Sequence, residues 1–509
     1  MMKALSVAAT GGSAAMSMML QGCRDSQLTP EDRERLLGRS TATRKDTLEK
    51  TPKFLIVIAA SGGASIVDSF LAKRQSESPN GATLNTFPDA TVKSFTGSPL
   101  RAVDFNGSLA LGALNLPVIT SQSSFVNKHM NDMLVSSFIG TSVNHVIAQK
   151  RSLTGNGAWN GRTLQECVAL EYGASFPIPH VNMGIGGYLE NGSDAALPAY
   201  CYGESVAQPA LFPLGLDGSR GIKGAPDKAL IELARSVRND SLDPESIFAR
   251  TFSKSDRLKR WYEQRGESQR SLEARELITK LNVLKNDPPS VPLTDFGLAE
   301  SPDAAKVRAA FPSFFTDQFE GQAAAAYLLL KNRVSVAVTI GPNFNVLING
   351  ASLGNPPLAF DFSHNDHRGT QAFMWQRILS VCDRLIGLLK AEPFDQASGT
   401  SMWDHTMIYV ATDFGRTKQR PNGSTSFGTG HDFNNGHLML SPMVKGNTVL
   451  GNVSTTTLES YGFDPETGAP DPTKLLSNDR DLFAGILHTL SVDTTGSGLP
   501  NARAFRKTA

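Results

Sequence analysis

The sequence predicts an α/β protein in which a mostly parallel sheet is flanked by helices and carries a helical insertion. The run KFLIVIAASGGAS from Lys53 is apolar until it reaches Gly62-Gly63, which is typical of a strand buried on both faces and followed by a tight turn. Strand-like and helix-like segments then alternate through the C-terminal half, as in α/β folds. Residues 225–287 are densely charged with apolar residues at helical spacing, and they predict a helical insertion or cap over one edge of the sheet.

The C-terminal elements follow one another along the chain in alternating types. Short apolar segments of strand length alternate with longer segments of helical pattern. In chain order these are a helix (AAAAYLLLKN, 323–332), a strand (RVSVAVTI, 333–340), a strand (PLAFDF, 357–362), a helix (QAFMWQRILSVCDRLIGLLK, 371–390) and a strand (TMIYVAT, 406–412). The carboxyl ends of strands line the ligand crevice of an open α/β sheet, so polar residues at these ends are candidates for a functional site.

The first residues predict export. A weakly apolar stretch from Ala4 to Leu20 follows Met1-Met2-Lys3, and Gly22-Cys23 behind it resembles a bacterial lipoprotein processing site. In this interpretation residues 1–23 are the signal, Cys23 is acylated, and the chain is periplasmic or anchored to a membrane. Two alternatives stay open: the tail of a longer signal, such as a twin-arginine one, and a disordered N-terminal tail.

The remaining chain divides into a tether and a body. Residues 24–50 are charged and contain no aromatic residue, as in a tether, and residues 51–509 form the predicted α/β domain. No later run approaches the roughly 18 apolar residues of a membrane span, so we expect a soluble body. The formal net charge of +1 and the absence of a long basic stretch argue against nucleic acid and anionic membranes as partners. The sequence does not identify a protein partner.

Three cysteines lie in the body. An exported protein could join Cys167 to Cys201, which are close in sequence, by a disulfide. The alternative is that Cys167, Cys201 and Cys382 are three buried thiols.

Histidines and carboxylates concentrate around the predicted strand ends. Five of the nine histidines fall between residues 361 and 437. Histidine and carboxylate together suit zinc, manganese or iron, whereas carboxylates alone suit calcium or magnesium. The sequence therefore predicts a divalent metal, preferably zinc with calcium or manganese as alternatives, held by Asp361, His364, His367, Asp413 and His431.

Each of these residues also has a structural interpretation. A histidine or aspartate at a strand end often caps the next helix or satisfies loop backbone. A carboxylate beside a metal-bound histidine can also orient that histidine instead of binding the ion. His405, just before a strand, is predicted to be structural, whereas His437 could be either.

A hydrolase would also need an attacking group. The segment FIGTSVNHVIAQKRSLTG offers Thr141, Ser142 and His145 in a small-residue turn before a helix, where a metal or a base could activate a hydroxyl. A helix N-terminus there would stabilise a phosphate or sulfate, and Arg416 could neutralise a bound oxyanion. The alternatives are a Thr/Ser helix cap with His145 on the helix surface, and an ion pair between Arg416 and a nearby aspartate.

The order of these motifs resembles the DUF1501 family of exported bacterial proteins, which is similar to the alkaline phosphatase and sulfatase superfamily. The resemblance is carried by FDFSH, TDFGRT, GTGHDFNNGHLML and VKGNTVLG and covers roughly residues 50 to 500. Asp361 and His364 match Phe-Asp-Thr-His with one extra residue between them, Arg416 matches the arginine of Ser/Thr-Glu-Phe-Gly-Arg, and His431 matches the histidine of Gly-Thr-Asp-His. The resemblance implies an alkaline phosphatase-like fold and export. It also implies one metal on Asp361, His364 and His431, and a second metal held in part by Asp413.

The chain departs from the family pattern at three points. Ser65 stands where Gly-Gly-x-Asp has its aspartate, although Asp68 follows three residues later. Phe414 replaces the histidine that active phosphatases and sulfatases carry, and no Cys-x-Pro-Ser-Arg sulfatase signature occurs. We therefore do not expect a two-metal phosphatase or a sulfatase of the usual kind.

Three function hypotheses follow. The leading one is an exported metal-dependent hydrolase of phosphate or sulfate esters, acting on a small anionic ester or a polymer. The rival is a non-catalytic surface protein that retains one structural metal and binds a polymer or a partner protein. In the third, the histidines line a metal-free carbohydrate site.

Overall fold

The computed structural model describes residues 50–507, apart from 113, 185, 217–225, 253, 256–275, 285–297, 343–346, 349–350, 353–358, 396 and 422. The predicted signal with Cys23, and all of the predicted tether except Lys50, lie outside the described residues. The described parts of residues 50–194 and 200–507 form one compact unit, and residues 195–199 belong to a second unit. Among the described residues, no helix has the length and apolar character needed to cross a bilayer.

A sheet of eight strands lies at the centre of the larger unit. The strands are β1 (Phe54–Ala60), β2 (Met133–Ile139), β3 (His180–Asn182), β4 (Glu204–Ser205), β5 (Ala337–Ile340), β6 (Thr406–Thr412), β7 (Asn434–Leu440) and β8 (Thr448–Leu450). Their order in the sheet is β8-β2-β7-β6-β1-β5-β3-β4. Strand β7 pairs antiparallel with β6 and β2, and the other pairs are parallel. The structure thus confirms the predicted α/β class and the mostly parallel sheet.

Strand β1 lies in the interior of the sheet because all seven of its residues are apolar and fully buried. Its parallel register with β6 pairs Ala60 with Thr412, so the two strands end at the same level. Gly62-Gly63 and Asp413 therefore emerge side by side at the carboxyl edge of the sheet.

Helices flank this sheet. They are α1 (Gln122–His129), α2 (His145–Thr154), α3 (Leu164–Tyr172), α4 (Lys228–Ser236), α5 (Asp243–Glu245), α6 (Ile247–Thr251), α7 (Leu277–Leu281), α8 (Ala304–Ala310), α9 (Gln318–Lys331), α10 (His367–Ala391) and α11 (Asp479–Thr489). Helix α2 begins where the Asn144 side chain accepts a hydrogen bond from the Ile147 N–H, and it ends at Gly155, whose φ is +57°. The described parts of residues 225–287 contain α4 to α7, and their role as an insertion stays a prediction.

Residues 359–364 differ from the prediction of a strand in PLAFDF. Ala359–His364 form a 3-10 helix, and residues 353–358 lie outside the described residues. The Phe360 N–H donates to the Ser61 carbonyl at 3.0 Å, just beyond the end of β1, and the Phe360 ring packs against Trp375. The buried Phe360 therefore belongs to a helical turn that packs on the core, and a short apolar run does not distinguish such a turn from a strand.

Short antiparallel ribbons lie outside the central sheet. One of them, Gly415–Arg416 with His431–Asp432, pairs Arg416 with His431 and returns the glycine-rich loop to the end of β6. The others are Val92–Ser94 with Arg101–Val103, Asn106–Leu111 with Leu114–Ile119, Leu347–Ile348 with Ala351–Ser352, Pro393–Asp395 with Thr400–Ser401, and Asn452–Val453 with Ser460–Tyr461.

Candidate metal centre

The candidate site lies at the carboxyl edge of the sheet. Asp413 follows β6, and the turn after β2 leads into α2 at His145. Strand β7 runs in the opposite direction and pairs Asn434 with Ile139, so its beginning, just after His431, lies at this same edge. Side chains from segments far apart in sequence therefore meet here, as expected for an open α/β sheet.

His145, Asp361 and His431 form a group that could hold a metal ion. One ligand atom from each residue lies within 4.8 Å of the other two. Asp361 Oδ1 is 3.3 Å from His145 Nε2 and 3.7 Å from His431 Nε2. Ligand atoms about 2.0–2.1 Å from a tetrahedral ion stand about 3.3–3.4 Å apart, so the 3.3 Å separation matches such a site and the 3.7 Å separation is slightly longer. All three side chains are partly exposed, which leaves the group open to solvent.

The hydrogen bonding of His431 makes one ring nitrogen available. Its Nδ1 is 2.9 Å from the Val143 carbonyl oxygen, which can only accept, so Nδ1 carries the hydrogen. Burial lowers the pKa of His431, and the neutral ring therefore has its lone pair on Nε2. The nitrogen that lies in the cluster is the one that can bind a metal.

His145 lies between two carboxylates. Its Nδ1 is 2.9 Å from Asp413 Oδ2, and its Nε2 is 3.3 Å from Asp361 Oδ1. Burial lowers the pKa of His145, but the two carboxylates outweigh burial and raise it to about 9. Both ring nitrogens are therefore protonated at neutral pH, and a metal bound at Nε2 would displace that proton while Nδ1 keeps its donation to Asp413, which is the usual carboxylate–histidine–metal arrangement.

Asp413 lies behind His145 and outside the three-residue group. Its carboxylate is buried and accepts hydrogen bonds from the N–H groups of Gly62 and Gly63, at 3.0 and 2.7 Å. It also accepts from Gln149 Nε2 at 3.3 Å. These contacts place Asp413 where it can orient His145, and its predicted role as a metal ligand stays a prediction.

His364 is in contact with the cluster, in line with its predicted position. Its Nε2 is 2.9 Å from His431 Nε2 and 3.2 Å from Asp361 Oδ1. Burial, with the positive charge of Arg416, lowers its pKa, and its side chain is 43% exposed. His364 is thus the most solvent-accessible member of the cluster and could approach a bound ion as a further ligand.

Arg416 is fully buried beneath the cluster. Its Nη2 donates to Asp361 Oδ1 at 3.2 Å, which is one of the ion pairs predicted as the alternative to oxyanion binding. Burial acts to raise the pKa of Asp361, but His145 and Arg416 act more strongly in the opposite direction. The net result is a pKa well below the usual range, so this carboxylate is charged. The guanidinium also donates to the main-chain carbonyls of Gly62, Phe360 and Thr429.

His367 lies in a buried network and not in the cluster. Its Nε2 is 3.1 Å from Asp68 Oδ2, and its Nδ1 is 3.1 Å from Thr429 Oγ1. Asp68 also accepts from Ser65 Oγ and Asn85 Nδ2. Both ring nitrogens are engaged in this network, outside the three-residue group, and the role of His367 as a metal ligand stays a prediction.

The predicted nucleophiles have other hydrogen-bond partners. Arg151 Nη1 donates to Thr141 Oγ1 at 3.0 Å, and Ser142 Oγ accepts from the Asn144 N–H at 3.2 Å. Within the described residues, no hydrogen bond joins either hydroxyl to the three-residue group. The helix cap is provided by Asn144, and a nucleophilic role for Thr141 or Ser142 stays a prediction.

The other two histidines of the motif region are structural. His405 Nδ1 is 3.1 Å from Lys53 Nζ, and its ring stacks on Phe394. His437 is buried on β7, where its Nδ1 accepts from the Tyr409 hydroxyl at 3.0 Å. The described cysteines agree with the alternative of buried free thiols, namely Cys167, Cys201 and Cys382.

Comparisons with known proteins add no family assignment. The chain matches no protein-family model, and no curated protein matches it. The resemblance to the DUF1501 family and the alkaline phosphatase-like fold therefore stay predictions.

Sequence reasoning missed His145 as a candidate ligand and treated it as part of a nucleophile turn. The missed signal is the run MLVSSFI, which forms the fully buried strand β2 directly before that turn. Had this run been identified as a strand, His145 would have belonged to the same carboxyl edge as Asp413.

Proposed function

We propose that this protein is a metal-dependent hydrolase of phosphate or sulfate esters, with zinc held by His145, Asp361 and His431. The observation that carries the proposal is a three-residue ligand group that is open to solvent at the carboxyl edge of the sheet. Structural zinc sites are generally closed by four protein ligands, whereas catalytic sites use three and keep one position for water or substrate. The proposal therefore leaves His364 beside the ligand set and not in it.

The donor set favours zinc over the alternatives. Two imidazole nitrogens and one carboxylate oxygen suit zinc, and manganese is also bound by such mixed sets. Calcium usually takes six to eight oxygen ligands, which this group does not offer. Zinc is therefore the metal to test first.

The surrounding residues have distinct tasks in this proposal. A divalent ion would supply Lewis-acid chemistry by polarising the ester and activating the attacking water. Asp413 holds the Nδ1–H of His145 and so directs Nε2 toward the ligand group, and Arg416 stabilises the charge of Asp361. In this proposal water attacks, and the hydroxyls of Thr141 and Ser142, which accept hydrogen bonds from Arg151 and from the Asn144 N–H, are not needed as nucleophiles.

Elemental analysis and turnover of anionic nitrophenyl esters test the proposal. We expect close to one zinc per chain and activity that is lost on chelation and restored by zinc. Asp361→Ala and His431→Ala should abolish both metal and activity, whereas Thr141→Ala and Ser142→Ala should retain them. His405→Ala is a matched control for loss of a histidine outside the site. Metal-independent turnover, or full activity in Asp361→Ala, would overturn the proposal.

The second candidate is a non-catalytic protein that holds a structural metal and binds a polymer or partner protein. It is favoured by the burial of Arg416 among main-chain carbonyls, which withdraws the nearest guanidinium from an incoming anion. On this alternative, His431→Ala lowers the melting temperature, and neither it nor the wild type cleaves an ester. Robust wild-type turnover would exclude the alternative.

A further inference from the structure

A polar cleft of about 450 Å³ is lined in part by the ribbon Asn452–Val453 with Ser460–Tyr461 and shares no residue with the three-residue ligand group. Cavities that bind small molecules usually have volumes of about 300–1,000 Å³. We call this cavity the Lys73 cleft. Lys73 lines it together with hydroxyl and carboxylate side chains of the ribbon and its loop, namely Ser454, Thr455, Thr457, Glu459 and Tyr461. The cleft therefore offers both donors and acceptors of hydrogen bonds to a ligand.

Lys73 supplies a buried positive charge to this cleft. The residue is 9% exposed, and among the described residues its Nζ makes one hydrogen bond, to Asn452 Oδ1 at 3.1 Å, and no ion pair. The nearby carboxylate of Glu77 is already paired with Arg101 at 2.7 Å and with Arg74 at 3.6 Å. Burial and the charge of Arg101 lower the pKa of Lys73 more than Glu77 raises it. Because an ammonium group has three hydrogens and a buried charge is costly without a partner, an anion in the cleft would stabilise Lys73.

Glu459 limits which anions fit the cleft. It lines the same cavity as Lys73, its side chain is exposed, and the two residues form no ion pair. A carboxylate only accepts hydrogen bonds, whereas an ammonium group only donates them. A ligand that satisfies both residues therefore carries a negatively charged acceptor for Lys73 and a hydrogen-bond donor for Glu459. A second negative charge on the ligand would be repelled by Glu459.

The remaining walls combine hydroxyl groups with apolar side chains. Hydrogen bonds within the loop hold the hydroxyl wall in place: the Ser454 N–H donates to the Glu459 carbonyl at 2.9 Å, and Ser454 Oγ accepts from the Thr456 N–H at 3.1 Å. The apolar part of the cleft consists of Val453, Pro472 and Leu475. Such a mixed surface suits a compound that carries hydroxyl groups on a carbon ring.

We propose that the Lys73 cleft binds a sugar acid, a polyhydroxylated ring with one carboxylate. The carboxylate pairs with Lys73 Nζ, a ring hydroxyl donates to Glu459, and the carbon face of the ring packs on the apolar wall. This inference goes beyond the proposed function and does not depend on it, because none of the three candidate metal ligands lines the cleft. The protein thus recognises an acidic saccharide at a site of its own.

Calorimetric titration of the full chain with D-glucuronate tests the proposal. D-Glucose has the same ring and hydroxyl groups without the charge, and acetate has the charge without the ring. We expect each of them to bind about tenfold or more weakly than glucuronate, because glucose lacks the charge-assisted hydrogen bond and acetate lacks the other contacts. Inorganic phosphate, which carries a second negative charge above neutral pH, should also bind more weakly. A chelator should leave the affinity for glucuronate unchanged, which distinguishes the cleft from the metal centre.

Two substitutions alter the charge of the cleft. Lys73→Met removes the ammonium group but keeps the apolar stem, and it should weaken glucuronate binding about tenfold or more. Asn452→Asp places a carboxylate at the acceptor that lies 3.1 Å from Lys73 Nζ, so it should compete with the ligand, weaken binding and raise the melting temperature. Lys445→Met changes an exposed lysine outside the cleft, and His431→Ala changes the metal centre. Both controls should bind glucuronate as the wild type does.

Several results would overturn this assignment. They are no binding of glucuronate to the wild type, equal binding of glucose, and tighter binding of phosphate. Melting temperatures identify any variant that fails to fold, and unchanged affinity in folded Lys73→Met or in Asn452→Asp would exclude Lys73 as the anchor of the carboxylate. Loss of binding on chelation or in His431→Ala would place glucuronate at the metal centre instead. Failure of the ester assays alone would overturn the proposed hydrolase function and leave this assignment intact.

Discussion

Replacing Asp413 by asparagine removes a charge from behind His145 without removing a ligand atom. The wild-type carboxylate accepts hydrogen bonds from the N–H groups of Gly62 and Gly63, from His145 Nδ1 and from Gln149 Nε2. Asparagine retains one acceptor oxygen and places an NH₂ group against donors that point toward it. The hydrogen bond that orients His145 is therefore weakened or lost.

Two effects of Asp413→Asn can be given magnitudes. Loss of a carboxylate that hydrogen-bonds a metal-binding histidine typically reduces metal affinity about 10–100-fold. This factor corresponds to about 1.4–2.7 kcal/mol of binding free energy. At least one buried N–H also loses its acceptor, which should lower the free energy of unfolding of the metal-free protein by about 1–3 kcal/mol. His431→Ala removes a ligand atom and should reduce the affinity further.

Competition for zinc with a chromogenic chelator measures the affinity, and thermal unfolding with and without chelator measures stability. Asp89→Asn, which changes an exposed carboxylate outside the site, provides the control. A zinc affinity of Asp413→Asn within about twofold of wild type would refute the role of Asp413 in orienting His145. A loss as large as that of His431→Ala would instead make Asp413 a direct ligand.

Three further substitutions probe other parts of the structure. His367→Ala should lower the melting temperature because it breaks a buried network, yet elemental analysis should find zinc retained in the folded variant. Gly63→Ala should lower the free energy of unfolding by about 1–3 kcal/mol in a denaturant titration. Gly63 has φ +76°, and an added Cβ would lie 2.5 Å from Arg416 Nε. Burial raises the pKa of Asp479 to about 6, above its usual value, so its contribution to stability falls as pH rises from about 4 to 6. Asp479→Asn should accordingly stabilise the protein by about 1–3 kcal/mol at pH 7 and little near pH 4, as measured by unfolding at both pH values.

Each of these predictions has a contrary result. Loss of zinc from folded His367→Ala would return that histidine to the ligand set. Unchanged stability of Gly63→Ala would contradict the close approach of Arg416 to this turn. An equal gain for Asp479→Asn at both pH values would mean that the charge of Asp479 is not the cause.

The strands with continuous apolar sequence were the predictable part of the fold. FLIVIAA and TMIYVAT form the adjacent strands β1 and β6, and the segment QAFMWQRILSVCDRLIGLLK lies within α10. PLAFDF has a similar composition, yet its described residues belong to a 3-10 helix. A short apolar run indicates that the segment is buried, but it does not specify the backbone conformation. That conformation depends on which groups of the fold hydrogen-bond to the N–H and C=O groups of the segment.

Asp361 and His431 could be identified as candidates from the sequence because they flank predicted strands in a histidine-rich region. The positions of His145, Asp413 and His367 relative to the three-residue group could not be predicted in the same way. Whether a carboxylate binds a metal, orients a ligand or pairs with a buried histidine depends on distances of a few ångströms between residues far apart in the chain. Those distances follow from packing and not from local pattern.

The sequence by itself determined the α/β class, the burial of β1 and β6, and the enrichment of metal-binding side chains near strand ends. These properties depend on local hydrophobic patterning, which a single segment contains. The tertiary structure alone decided which atoms converge, because pairing of β7 with both β2 and β6 brings His431 to the turn before α2. Nitrogen and oxygen atoms of residues 145, 361 and 431 meet only once that sheet order is formed.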